Sequence, residues 1–437
     1  MRQRLAAAGS TLLLGAALAI GAFAPAATAA PSQSYIITLR TSVGAGAVAA
    51  QMQSRPGVQV RHVFNHAMRG FSANLTPQAL NSLRFDPHVA SVVPNRTFHV
   101  DSLDLRSEVG PPARAQRAAA AAPAARRVTP QAQSIPTGIS RIGGDQSSTK
   151  SGDGQGEVDV DVAVIDTGVD SSHPDLNVNT AGGKSCVDGD PSFEDGHGHG
   201  THVSGTIGAK DDADGVVGVA PGARIWPVRV LDANGSGTED AVICGIDYVT
   251  EHANEIDVAN MSLGGPGAES TCGSNADPMH EAICRSVNAG VTYAVAAGND
   301  GADAAGSTPA NYDEVITVSA LSDSDGKTGG AGPAPDCLNT EKDDTIASFS
   351  NFGQDVDVIA PGVCINSTFK GGGFEELSGT SMATPHVAGA AALFKSANPS
   401  ASPAEVQQAL VSAGSDDWDN SGDQDGTKEP LLNVTTF

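Results

Sequence analysis

Lysine and cysteine are both missing from residues 1–130, and aromatic residues supply only 4% of the 437-residue chain. No stretch is long and apolar enough to cross a bilayer. Leu12 to Phe23 comes nearest, but Gly15 and Gly21 interrupt it and Pro25 follows, and it falls short of the roughly 20 residues a span requires. The six cysteines, Cys186, Cys244, Cys272, Cys284, Cys337 and Cys364, contain no CxxC pair, which argues against zinc. These absences disfavour a coiled coil or a membrane protein. The 51 glycines fit a compact, loop-rich α/β chain instead.

What is present begins with a targeting segment. Arg2 and Arg4 precede the apolar run and Ala27-Thr28-Ala29 offers a small-x-small cut, so residues 1–29 read as a signal peptide and the protein as secreted and extracellular. An even cysteine count in an exported body implies disulfides. Spacing cannot choose among the pairings. Neighbour pairing is the expectation, with Cys272–Cys284 foremost because it closes one short loop. Charge divides the chain. Residues 1–130 hold 13 Arg and 4 acidic residues (net +9), whereas residues 131–437 hold 12 basic and 46 acidic ones (net −34). So acidic a body disfavours nucleic acid and anionic membranes as partners and suits cation binding. A monomer is expected.

Composition marks further segments. Residues 33–100 read as a small α/β unit, with strands at Tyr35–Leu39, Gly70–Leu75 and Val89–Val93 and helices at Gly44–Met52 and Pro77–Leu83. Residues 101–130 are Ala, Arg and Pro rich, a linker composition that is easily cut. From residue 131 to 437, apolar strands at Val158–Ile165, Arg224–Leu231, Val258–Ser262, Val291–Ala297 and Val315–Ala320 alternate with helices at Asp240–His252, Pro278–Ala289 and Thr384–Ser396. That alternation predicts a mainly parallel sheet covered on both faces, with functional residues at the strands' carboxyl ends.

Three distant segments hold the residue types of a nucleophilic triad. Asp166 ends a strand in Val164-Ile165-Asp166-Thr167-Gly168, His199 sits in His197-Gly198-His199-Gly200-Thr201-His202, and Ser381 sits in Gly379-Thr380-Ser381-Met382-Ala383-Thr384-Pro385. Taken singly, Asp166 could cap a helix and Ser381 could merely begin one. His197, His199 and His202 could join Asp195 around a metal. Together, in this order, they resemble the signature motifs of the subtilisin-like serine proteases. A hydroxyl is a poor nucleophile until a base takes its proton, and an imidazole titrates near neutrality. The resemblance implies Ser381 as nucleophile, His199 as base and Asp166 as its orienting partner, with Ser381 just before a helix that favours negative charge. His202 and His386 are expected to be structural.

The same resemblance carries further expectations. Asn299, in Ala296-Ala297-Gly298-Asn299, resembles the family's oxyanion asparagine, with the Ser381 N–H as second donor. Gly235-Ser236-Gly237 and Ser262-Leu263-Gly264, with Ala296 and Gly298, resemble its substrate-binding edges, where an extended peptide pairs through its main chain and sequence tolerance is broad. Lys210 to Val216 resembles a calcium loop. Its implied Ca²⁺ ligands are the side chains of Gln133, Asp175 and Asp212 and the main-chain oxygens of Lys210, Asp214 and Val216. No cofactor is implied for catalysis. Asp417 to Asp425 is a second acidic loop, but it misses the EF-hand pattern because its twelfth position is Lys428. Residues 33–100 resemble the family's inhibitory prosegment. The implied whole is a subtilisin-like three-layer α/β fold behind a small prosegment domain: a self-processing endopeptidase acting on proteins and peptides and held by its own prosegment as intramolecular inhibitor. Cleavage is expected near residues 127–132, or first near Val100 with later trimming. Rival readings are a metal-dependent hydrolase, an inactive binding module, and the sedolisin relatives, against which the His199 motif argues.

Overall fold

Asp161–Asp166 is apolar at four consecutive positions, and such a strand needs cover on both faces. In the computed structural model, which describes residues 32–40, 44–100, 132–274 and 277–437, this strand lies inside an eight-stranded sheet. The order runs Thr345–Ile346, Ile316–Ser322, Thr292–Ala296, Val258–Met261, Asp161–Asp166, Arg224–Arg229, Lys184–Ser185, and Val358–Pro361 pairs with Ile316–Ser322 off this path. Only the Thr345–Ile346 pairing is antiparallel. Alternate residues of the strand feed two cores. Val162 and Val164 meet Val203, Ile207 and Val387 on one side, while Ala163 and Ile165 meet Val242, Ile246 and Ile283 on the other. The helices His199–Gly208 and Thr380–Ala397 thus cover one face, and Glu239–Glu251 and Pro278–Asn288 the other.

Residues 33–94 make a separate antiparallel sheet, ordered Val58–Phe64, Gly70–Leu75, Gln33–Leu39, Val89–Pro94. Ile37 and Leu39 pack under the helices Ala45–Gln53 and Pro77–Arg84, whereas Ile36 and Phe64 join the core around the Glu239–Glu251 helix. The small sheet therefore lies on the large unit. Its chain then leaves it: Thr97–Val100 pairs antiparallel with both Leu263–Pro266 and Ser236–Thr238. Neighbouring cysteines pair throughout, as Cys186–Cys244, Cys272–Cys284 and Cys337–Cys364. Among the described residues no helix is long and apolar enough to cross a membrane. The expected signal peptide (1–29) and linker (101–130) lie outside the described residues.

Candidate active site

The large sheet delivers Asp166, fully buried, at the carboxyl end of its strand. The Asp166 carboxylate accepts the Thr167 N–H at 2.7 Å and lies 2.8 and 3.0 Å from His199 Nδ1. A carboxylate at Nδ1 holds the proton there and makes Nε2 the basic nitrogen. His199 opens its helix, and Asp195 secures that end. Its carboxylate accepts the backbone N–H groups of His197, Gly198 and Thr201 and the hydroxyls of Thr167 and Thr201. Gly198 has φ +117°, and a Cβ there would strike the Phe369 ring. Burial first, then the charge of His199, holds the His197 ring below its ordinary pKa. The histidines do not converge on a common ion: His202 Nε2 lies 2.9 Å from the Ile365 carbonyl.

Ser381 is the second residue of the Thr380–Ala397 helix, inside its first turn rather than ahead of it. Its hydroxyl donates to the Ser262 carbonyl at 3.0 Å, and the Ser262 hydroxyl donates to the Ser381 carbonyl at 2.9 Å. The second bond follows from Pro385. Proline has no N–H for the carbonyl four residues earlier, so Ser381 loses its helical partner and Ser262 supplies another. Asn299 is oriented by the residue before Ser381: its Oδ1 accepts the Thr380 N–H at 2.9 Å and the Thr380 hydroxyl at 3.1 Å. Its Nδ2 is buried without a hydrogen-bond partner. Gly298 lets the turn form, at φ +108°, where a Cβ would meet the Asn351 amide.

The two glycine-bearing edges stand on either side of Thr97–Val100. Leu263 pairs with Val100 and Gly264 with His99, while Ser236 and Gly237 face His99 and Phe98. Val100 also donates its N–H to the Gly235 carbonyl at 3.0 Å. Phe98 is fully buried, in one core with Leu231, Met261 and Leu263. Beside this strand is a cavity of about 270 Å³ lined by Gly264, Ala296, Gly298 and Asp300, among others. The sequence reading missed this strand and the positioning roles of Asp195 and Thr380. The one signal was that Thr380 adjoins Ser381.

The model of the subtilase family matches residues 158–429, well over half of the chain. The chain belongs to the subtilase family. Residues 25–101 match a second model, peptidase inhibitor I9. The subtilase is 42% identical over 279 residues to Subtilisin Savinase of Lederbergia lenta, covering 64% of this chain and 91% of that protein. To subtilisin E of Bacillus subtilis it is 37% identical over 384 residues, 86% of this chain and 84% of the other. To an alkaline protease of Alkalihalobacillus alcalophilus it is 42% identical over 283 residues, and it spans only 65% of that protein's length. Among solved structures it resembles a cold adapted subtilisin-like serine proteinase, with TM-score 0.54, 35% identity, and coverage of 68% of this chain and 97% of that one.

In this subtilase the expected calcium ligands gather where residues 132–134 run along the 213–216 loop. Gln133 N and Ser134 N donate to the Ala213 and Gly215 carbonyls, and Gln133 Nε2 donates to the Lys210 carbonyl at 3.0 Å. Asp175 is 4% exposed; its Oδ2 accepts the Val216 N–H, but its Oδ1 is buried without a partner. Burial, helped by the charge of Asp212, pushes Asp175 up to about 7. A buried carboxylate oxygen without a partner, with the Asp212 charge near enough to act on it, fits a hard cation.

Proposed function

We propose that this subtilase is a secreted serine endopeptidase with broad specificity, made as a zymogen that cuts itself free of its prosegment. The observation that carries the reading is the strand Thr97–Val100, held by its main chain between two edges beside Ser381. An inhibitor bound as a substrate would lie this way, and a backbone-reading cleft tolerates many sequences. In the reaction the Ser381 hydroxyl turns from the Ser262 carbonyl to His199 and gives up its proton. Its oxygen then attacks the peptide carbonyl. Asn299 Nδ2 and the Ser381 N–H, an unused donor in the helix's first turn, receive the developing oxyanion. His199 returns the proton to the leaving amine, and water hydrolyses the acyl-enzyme by the same relay. Asp166 stabilises the charged imidazole. Ca²⁺, held by Asp175, Asp212, Gln133 and the 210–216 carbonyls, would serve stability alone.

The main-chain pairing reaches Val100, the last described residue before 132, and on this reading the first cut falls near Val100 and removal of the linker is a later trimming. Ser381→Ala, purified away from other proteases, should retain residues 31–130 after secretion, while the parent enzyme shows a new N-terminus near Val100 before any further shortening. Efficient maturation of the isolated variant would sink self-cleavage. A first N-terminus near residue 130 would reject the two-step order. For calcium, chelator should lower the melting temperature of the parent and leave Asp212→Ala nearly unmoved; equal melting of the parent with ion and with chelator argues the site away.

A further inference from the structure

The main-chain pairing of Thr97–Val100 with Ser236–Thr238 continues one step further, where Glu239 N donates to the Arg96 carbonyl at 2.9 Å. At that step the side chains meet as well. Arg96 Nε and Nη2 donate to the two oxygens of Glu239 at 2.9 and 2.8 Å, and Nη2 also donates to Asp277 Oδ2 at 2.9 Å. From the opposite edge the Pro266 carbonyl accepts Nη1 at 3.5 Å. Glu239 is 1% exposed and Asp277 7%. Asp277 has other work: Oδ1 accepts the Met279 and His280 N–H groups at the start of their helix, and Oδ2 also accepts the Tyr312 hydroxyl. Glu239 does not. Among the described residues, Arg96 alone donates to its carboxylate. Burial already pushes the Glu239 carboxyl up while Arg96 opposes that shift. Without Arg96, a buried carboxylate must find another cation or give up its charge.

We propose that Glu239 and Asp277 form a guanidinium-binding subsite of the cleft, which selects substrates carrying arginine where the prosegment carries Arg96. The proposal rests on the endopeptidase reading, in which a substrate lies along the two edges that now hold Thr97–Val100. A peptide paired in that register puts one side chain beside Glu239, because the ladder fixes its distance along the edge. Alternation then sets the face. Arg96 and Phe98 share it, with the guanidinium 5.8 Å from the Phe98 ring centre. The remaining pairing is main chain to main chain and tolerates many sequences, so this position is where a side chain is read. Arginine fits better than lysine, because its planar fork meets both Glu239 oxygens and Asp277 together, whereas an ammonium is a point charge. Arg61 makes the contrast. It reaches Asp188 and Asp240 from Val58–Phe64, outside the cleft strand, and an extended substrate has no counterpart to it.

The test varies the substrate and leaves the enzyme intact. Peptides with the sequence of residues 93–104 are offered to the matured parent enzyme, differing only at position 96 as Arg, Lys, Gln or Glu. Replacing Arg by Gln should lower kcat/KM at least about tenfold, with Lys between them. The loss should fall mainly on KM, because the contact is remote from the reacting atoms. In Glu239→Gln the ratio of Arg to Gln peptide should collapse towards one. Asp277→Asn, which can still cap its helix, should reduce the ratio. Equal cleavage of all four peptides by the parent, or an undiminished ratio in Glu239→Gln, would overturn the subsite. If Glu239→Gln does not fold, the peptide series in the parent decides alone. Digestion of an unfolded protein without discrimination among the peptides would remove the subsite and leave the endopeptidase. Digestion of neither would overturn the endopeptidase reading and the subsite with it.

Discussion

The small antiparallel unit and the large parallel one are built on opposite plans. The large sheet is buried on both faces, and all three disulfides lie in its unit. The small sheet has no cysteine, and its Val58–Phe64 edge is half exposed. What joins them is noncovalent: Ile36, Phe64 and Phe98 enter the core of the large unit, and polar links add to that contact. Asp247 on the large unit accepts the backbone N–H groups of Asn65, His66 and Ala67. Arg96 sits between Glu239 and Asp277, at 2.8 and 2.9 Å. Burial works against the Arg96 charge, but Glu239 and then Asp277 outweigh it and raise its pKa. Arg61 reaches Asp188 at 2.6 Å and Asp240 at 3.3 Å. In these ion pairs the bases come from the small unit and the acids from the large one. The contrast suits the proposed maturation: the disulfides lie only in the unit that it would keep.

The largest test of that contrast removes a link. Cys186–Cys244 spans a sequence separation of 58, the longest of the three. Loop-closure entropy for that length predicts a loss of about 4 kcal/mol. Replacing both cysteines by serine in Ser381→Ala should lower the melting temperature of the large unit by several degrees. An unchanged melt would mean that the body owes its persistence to packing alone.

A second test asks whether the kept body alone carries the chemistry. Asn299→Ala in the matured enzyme should lower kcat roughly 10²–10³-fold with little change in KM, the loss measured for the corresponding donor in subtilisin itself and not a value derived from this fold. Thr380→Val, which removes one of the two donors holding Asn299, should lower kcat less. Equal KM and kcat effects would mean that Asn299 binds substrate and does not favour the transition state.

Legibility differed between the units for physical reasons. The strands of the large sheet could be read because burial on both faces demands unbroken apolar runs, and Asp166 closes such a run. The Thr97-Phe98-His99-Val100 strand could not: four residues acquire strand character only when two distant edges accept their backbone. Val58–Phe64 was hidden by the register shift between Val60 and Val63, which breaks its alternation. The His199–Gly208 helix was hidden by three glycines and two threonines of low helical preference; complete burial of its residues holds it. The Asp166–His199 contact was implied by resemblance, but the Ser262–Ser381 exchange and the Thr380 clamp needed coordinates, because each depends on what Pro385 and the Gly298 turn leave unbonded.

The joint between the units can be weakened without touching either core. Asp247→Ala leaves three amides without their charged acceptor, and hydrogen bonds to a charge contribute about 1.5–3 kcal/mol. A peptide of residues 31–100 should then inhibit the matured variant roughly 10- to 100-fold less tightly, while activity on a small ester substrate stays unchanged. Raising salt should slow association of the parent pair more than it speeds release, because screening acts on encounter. Undiminished inhibition of Asp247→Ala would place the hold in the Thr97–Val100 strand, the apolar contact and the Arg61 and Arg96 ion pairs.

The smallest effect concerns acid, and it belongs to the body. His202 and His386 are fully buried. Burial, and for His202 also the charge of His199, pulls them from 6.5 to about 3 and about 4 respectively. Unfolded, each takes a proton as pH falls through 6.5; folded, each resists until far lower. Between those values the unfolded chain binds more protons, so stability is intact above 6.5 and falls as pH drops below it. At about pH 5.5 each imidazole costs about 1.4 kcal/mol. The small unit's His62 is also held low by burial, but Asp240 and Asp188 of the body oppose that shift. The matured body should therefore show the same acid sensitivity with the prosegment removed. Comparing melting at about pH 7.5 and about pH 5.5, His386→Asn should lose less than its parent over that interval, whatever its starting stability, because the substituted side chain no longer has a proton to accept on unfolding. An equal or larger loss in the variant would assign the acid response to the carboxylates instead, and the contrast between the two units would then not extend to pH.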